Sequence, residues 1–303
     1  MEFSVQLSQT FYDSLIKYRN AIFGVAIIYI IVYHMGIVPL FGRGFIGVDI
    51  FLFLSSFGLC FSLGKHSLAE FYIRRLNRVY PLFVFSNILK WTIGRFLGER
   101  LNAWDSFCDI SGLTFFGFGG KHMLWFIPSL MILYIITPPL YKIVKRFGQY
   151  ALYVIIVISF IVMFLCPSMD WHYSCLVSRL PVFVLGILYF VYNGDLKKLF
   201  APLLAFILFH ELSINNDLKY LVADFYSPML LLALCALFSI TSPRRLSHLS
   251  WIGSKSLECF IGNGMITQFL IFEGVSRLVY YIIGNIFWIA LFIGINKLLP
   301  ANK

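Results

Sequence analysis

AIFGVAIIYIIVYHMGIVPL (21–40) and, three residues later, GFIGVDIFLFLSSFGLCFSL (44–63) decide the fold. Each stretch is about as long as a helix that crosses the ~30 Å hydrocarbon core of a bilayer. Neither has the polar stripe that a surface helix of a soluble protein keeps toward water. Two such runs, joined by FGR (41–43), predict a helical hairpin in lipid.

The rest of the chain extends that reading. Hydrophobic residues make up 60% of the 303 positions, charged residues 13%, and the mean hydropathy is +0.84. Soluble domains carry about 25% charged residues, so this chain lacks the polar surface to face water all round. Apolar runs predict spans near 22–40, 46–63, 79–97, 123–141, 150–166, 176–192, 199–212, 220–240, 255–272 and 277–299, the seventh being short. The expected fold is all-α: a polytopic transmembrane bundle of about ten spans, forming a single integral membrane domain over 1–303. Residues 1–20 are polar and mixed, and the apolar run after them has no small-residue cleavage site, so no cleaved signal is expected.

Charge sets the expected orientation. With the N-terminus inside, 16 of the 24 Lys and Arg fall on inner segments and 8 on outer ones, which places both termini in the cytoplasm. The formal charge of +10 does not point to nucleic acid, because the basic residues are interleaved with apolar spans instead of forming one face. The six cysteines are scattered and no Cys/His spacing suits a metal. Cys60, Cys235 and Cys259 read as small buried hydrophobes, whereas Cys166 and Cys175 flank one short loop and could pair in an oxidising compartment.

Ionisable groups inside apolar spans are costly and become functional candidates. His34 lies about 11 residues, or ~16 Å, above the cytoplasmic start of the first span. Asp49 lies in the first turns of the second span, which descends from the outside, so the two are expected at similar depth. A carboxylate that fixes the tautomer of a histidine is the usual construction of a general base; each could also merely satisfy a polar neighbour. In KHSLAEFYIRRLNRVYPLF (65–83), Arg74 and Arg78 share a helical face with Arg75 beside it. Guanidinium forks match phosphate oxygens, although basic juxtamembrane residues also serve topology and lipid headgroups.

Taken in order and spacing, His34, GVDIFLFLSSFGL (47–59) and FYIRRLNRVYP (71–81) resemble the acyltransferase family 3 membrane proteins, which include bacterial O-acetyltransferases of surface polysaccharides. HMLWFIPSL (122–130), SRLPVFVLGI (178–187) and GSKSLECFIGN (253–263) are weaker echoes. The resemblance implies ten spans in a bacterial plasma membrane and no bound cofactor. It implies an acyl group, usually acetyl, moving from cytoplasmic acyl-CoA to a hydroxyl of a glycan or lipid-linked sugar at the other face. It makes His34 the family's essential histidine, Asp49 its second-span aspartate, and Arg74, Arg75 and Arg78 its arginine cluster.

Three positions depart from that pattern. Where most members carry Arg or Lys eleven residues before the histidine, this chain has Phe23, with Arg19 one turn below as the candidate replacement. Many relatives follow the LW motif with a glutamate where Ser129 and Leu130 stand here. The last block often ends in histidine, here Asn263, with Glu258 five residues earlier as a polar contributor or a structural carboxylate. Trp125, next to Phe126, reads as an aromatic belt or a sugar-stacking surface. Arg179 either holds acceptor hydroxyls or snorkels, and His172 is expected to be solvated. The chief rival reading is a proton-coupled transporter or flippase of a lipid-linked sugar, which could use His34 and Asp49 but lacks an evident inverted repeat. A lapsed relative acting as a partner subunit is a third.

Overall fold

The computed structural model describes residues 2–36, 45–99, 102–119, 124–166, 169–195, 230–231, 233–268 and 277–298, and among these every regular element is helical. The helices include α1 (Glu2–Met35), α2 (Phe45–Lys65), α3 (Leu68–Phe96), α4 (Ala103–Ser111), α5 (Phe126–Phe147), α6 (Gln149–Leu165), α7 (Trp171–Val191), α8 (Pro243–Ser254), α9 (Ser256–Gln268) and α10 (Arg277–Leu298), and residues 233–239 are helical too. A 3-10 turn, Leu113–Phe116, follows α4. Among the described residues, five helical stretches are long and apolar enough to cross a membrane: Phe11–Met35, Ile46–Lys65, Phe126–Phe147, Trp171–Val191 and Leu278–Leu298, with α6 a shorter apolar helix. The expected seventh span, 199–212, lies outside the described residues.

The chain forms two compact units. The first comprises residues 1–66 and 136–254, the second 67–135 and 255–303. Within the first, α1 and α2 run antiparallel. Phe23 packs on Phe51 with ring centroids 4.9 Å apart, and Tyr12 packs on Phe57 at 5.4 Å. Helix α7 runs parallel to α2: Arg179 faces Asp49, Gly186 meets Phe53 and Ser56, and Phe190 meets Phe61 at 4.8 Å. Parallel directions for these two helices agree with the alternation expected of the second and sixth spans.

Two helices were not visible as spans. Helix α8 lies in the stretch read as an inner loop and packs antiparallel along α1 through glycines. A Cβ on Gly24 would strike the Leu249 carbonyl oxygen, and one on Gly253 would strike the Asn20 carbonyl oxygen, so the backbones touch where side chains would hold them apart. Helix α1 begins at Glu2 rather than near 22, which makes the polar leader its lower turns, and it ends at Met35 rather than 40.

In the second unit, α3 starts at a reciprocal capping box: Glu70 N–H donates to Ser67 Oγ at 3.3 Å, and Ser67 N–H donates to the Glu70 carboxylate at 3.0 Å. Polar residues Asn87, Lys90 and Arg95 dilute the apolar character of this 29-residue helix. Helix α4, read as an outer loop, packs against α3, and α9 and α10 form an adjacent pair.

Candidate functional site

The first unit holds a buried ion pair. Asp49 Oδ1 lies 3.3 Å from Arg179 Nε, with the two side chains 1% and 12% exposed. The contact is one of charge, without the alignment of a hydrogen bond through Nε. Arg179 Nη1 also donates to the Cys175 carbonyl at 3.0 Å, one turn back on α7. The guanidinium is thus directed inward rather than snorkelling to the surface.

His34 sits half-buried in the last turn of α1, its ring 5.3 Å from that of Tyr33. The register of α1 on α2 sets its relation to Asp49. Phe51 faces Phe23, and a Cβ on Gly47 would lie 2.7 Å from both the Ala26 carbonyl oxygen and Ile30 Cγ1. Asp49, between positions 47 and 51, is therefore level with the stretch 23–30. His34 stands roughly two turns, or about 12 Å, further toward the opposite end of α1. The expectation of equal depth is corrected by this offset, which arises because α1 continues past its crossing with Gly47. Each Cβ tilts toward its own helix N-terminus, so in this antiparallel pair the two side chains lean toward one another.

At the other end of the same helix pair, Arg19 Cζ lies 5.2 Å from the centre of the Phe23 ring, and its terminal nitrogens lie against Gly58. The charge therefore stands over the ring at the position where the resemblance leads one to expect a basic residue. Arg19, Lys65, Phe57, Phe61, Ile16 and Gly58 line a cavity of about 290 Å³. A cavity lined by two cations and two phenyl rings suits an anion attached to a flat or apolar body.

In the second unit, Arg74 and Arg78 are exposed and Arg75 is half-buried, with Cζ 5.7 Å from the Phe71 ring centre. Burial pushes the Arg75 guanidinium below its ordinary value, as do the like charges of Arg78 and Arg74, while Tyr134 opposes the shift. An anion bound at this point would relieve that repulsion.

Trp125 is half-buried and borders a narrow cleft with Asn87, Asp109, Thr114, Phe83 and Pro128. Asp109 had no signal in the sequence beyond lying in a short helix-forming stretch. It is 4% exposed and accepts from Lys90 Nζ (2.9 Å) and Trp91 Nε1 (3.0 Å) on one oxygen, and from Thr114 Oγ1 (2.6 Å) on the other. Lys90, one of the eight basic residues counted as outer, is consumed by this network.

The remaining sequence candidates have structural partners. Glu258 is buried and accepts from Asn296 Nδ2 at 2.7 Å, with Lys255 Nζ at 3.5 Å. Asn263 Nδ2 donates to Asn285 Oδ1 at 3.1 Å, tying α9 to α10. Ser129 Oγ donates to the Trp125 carbonyl at 2.9 Å. His172, expected to be solvated, is instead 1% exposed, with the Tyr173 ring centre 4.2 Å from its own. Cys166 and Cys175 are free thiols. Among the described residues no group of His, Cys, Asp and Glu could hold a metal ion.

An apolar helical chain with buried charges inside it defines a membrane-embedded protein built around polar chemistry. Residues 20–298 match the family model described as an acyltransferase domain, and the chain belongs to that family. No curated protein and no solved structure matches it.

Proposed function

We propose that this chain is a ten-span plasma-membrane O-acyltransferase with both termini in the cytoplasm, transferring an acyl group, acetyl by preference, from cytoplasmic acyl-CoA. The acceptor is a hydroxyl of a glycan or lipid-linked sugar at the outer face. The observation that carries this reading is the Asp49–Arg179 pair buried between α2 and α7, on the helix that packs against the one bearing His34. A charge pair costs several kcal/mol of desolvation per ion, so retaining one here favours a working site over inert packing. The orientation rests on the 16 to 8 division of Lys and Arg between inner and outer segments.

CoA phosphates bind Arg74, Arg75, Arg78 and Arg19. His34 removes the proton from the acceptor hydroxyl as its oxygen attacks the thioester carbonyl. The tetrahedral centre then collapses, the C–S bond breaks, and the thiolate takes the proton from the imidazolium to leave as free CoA. The products are an ester and CoA, with no external oxidant or reductant. Asp49 acts through Arg179, holding its guanidinium inside the bundle to meet the acceptor hydroxyls, about two turns from His34. Trp125 stacks on the acceptor sugar, whereas Glu258 contributes through the α9–α10 pair.

The test is transfer of radiolabelled acetyl from acetyl-CoA into a saccharide fraction by membranes carrying the wild type or His34→Ala. Label that requires His34, with equal amounts of both proteins inserted, supports the reading. Equal labelling by the two would overturn it.

A further inference from the structure

Helix α8 of the first unit is two-faced along its length. Leu246 and Gly253 are buried, Leu249 and Ser250 half-buried, and at 3.6 residues per turn these four share one side. That side is laid on α1, where Leu249 meets Gly24 and Gly253 meets Asn20. Arg244, Arg245, Ser247, His248, Trp251 and Ser254 are exposed around the rest of the circumference. The seam meets α1 at Asn20 and Gly24, where the apolar run of its span begins, so α8 lies at the edge of the bilayer and not at its centre.

The exposed side carries charge of one sign. The sequence has no Asp or Glu from 225 to 257, and none from 14 to 35 on the α1 stretch that α8 packs against. Asp13 stands seven residues, about 10 Å, below Asn20, toward the C-terminal end of α8 and away from the arginines; Glu2 is further still. Of the other described carboxylates in this unit, Asp49 is paired with Arg179, and Asp170 and Asp195 flank α7 at its two ends. Among the described residues no side chain pairs with Arg244, Arg245 or His248.

Both arginines also stand in the first turn of α8, which holds no acidic residue. Cations there oppose the positive end of the helix macrodipole, so the helix by itself disfavours them and an anion resolves the conflict. Trp251, 58% exposed on the same side, supplies the amphipathic ring that membrane–water interfaces select. Two free guanidinium forks and an indole on a helix at the bilayer edge match a layer of phosphate headgroups above acyl chains.

We infer that the exposed side of α8 docks on anionic lipid headgroups, with Arg244 and Arg245 on the phosphates and Trp251 at the boundary with the acyl chains. The inference is independent of the transferase reading. It makes α8 a helix held from both sides, by the glycine seam on α1 and by lipid on its other face.

The test is native mass spectrometry of delipidated full-length protein mixed with equal amounts of phosphatidylglycerol and phosphatidylcholine. The wild type is expected to retain phosphatidylglycerol in preference. The double variant Arg244→Gln/Arg245→Gln should lose at least about fivefold of the phosphatidylglycerol-bound population at an unchanged melting temperature. Arg244→Lys/Arg245→Lys should keep most of it. Lys145→Gln/Arg146→Gln, which removes the same charge from the exposed end of α5, should retain the lipid as the wild type does. The inference is overturned if the Arg244→Gln/Arg245→Gln protein binds phosphatidylglycerol normally, or if both Gln pairs lose it equally, marking bulk charge. It is equally overturned if the wild type retains phosphatidylcholine as well, or if equimolar acetyl-CoA displaces the lipid, marking a site for a soluble phosphate.

Discussion

Asp49 and Arg179, 130 positions apart in sequence, meet inside the first unit at 3.3 Å. Truncating one member of a buried pair leaves the other charge uncompensated at about 3–5 kcal/mol. Asp49→Ala is therefore expected to lower the melting temperature in detergent sharply, and Arg179→Ala likewise. The double variant should be more stable than the sum of the singles predicts. Simple additivity in that double-mutant cycle would show that the pair is not coupled.

Arg19 provides a second prediction. Arg19→Ala should raise KM for acetyl-CoA about tenfold with little change in kcat, as expected when one phosphate contact common to ground and transition states is lost. Because the guanidinium already stands over Phe23, Phe23→Arg introduced into Arg19→Ala should recover most of the loss. Steady-state kinetics on the two variants would decide it, and an unaltered KM in Arg19→Ala would remove Arg19 from the donor site.

The α1–α8 contact predicts strong sensitivity to side-chain volume. Gly253→Val and Gly24→Val should abolish monodisperse protein in size-exclusion chromatography, since the added atoms would meet backbone that cannot rotate away. Gly294→Ala on α10, where a Cβ meets nothing within 4 Å, should behave as the wild type.

Within the second unit the loss should be asymmetric. Lys90→Met leaves Asp109 with the Trp91 and Thr114 donors, whereas Asp109→Ala leaves Lys90 buried without its carboxylate. Thermal unfolding should show Asp109→Ala to be the more damaging by about 1–2 kcal/mol. The reverse order would mean that the two neutral donors contribute little.

Much of this architecture was legible in the sequence, because lipid demands continuous apolar length and that length is written plainly in α1, α2, α5, α7 and α10. What escaped was helix that needs no such length. Helix α4 is nine residues and α8 twelve, the latter opening on Arg244 and Arg245, so a hydropathy reading returns loop for both. Candidate residues were identifiable by their cost in lipid, but their partners were not. Nothing local in SRLPVF assigns Arg179 to Asp49, and nothing near Lys90 announces Asp109 as its counter-ion. Pairings across the bundle depend on which helices become neighbours, and apolar spans are nearly interchangeable in that respect.

The glycine seam between α1 and α8 also bears on biogenesis. Helix α1 finds a close backbone partner only when residues 243–254 have been made, about two hundred residues later. Until then the face of α1 around Gly24 is exposed to lipid or to whatever insertion factor attends it. A nascent chain stalled before Pro243 would therefore present an open seam, a mark by which membrane quality control could distinguish unfinished copies from complete ones.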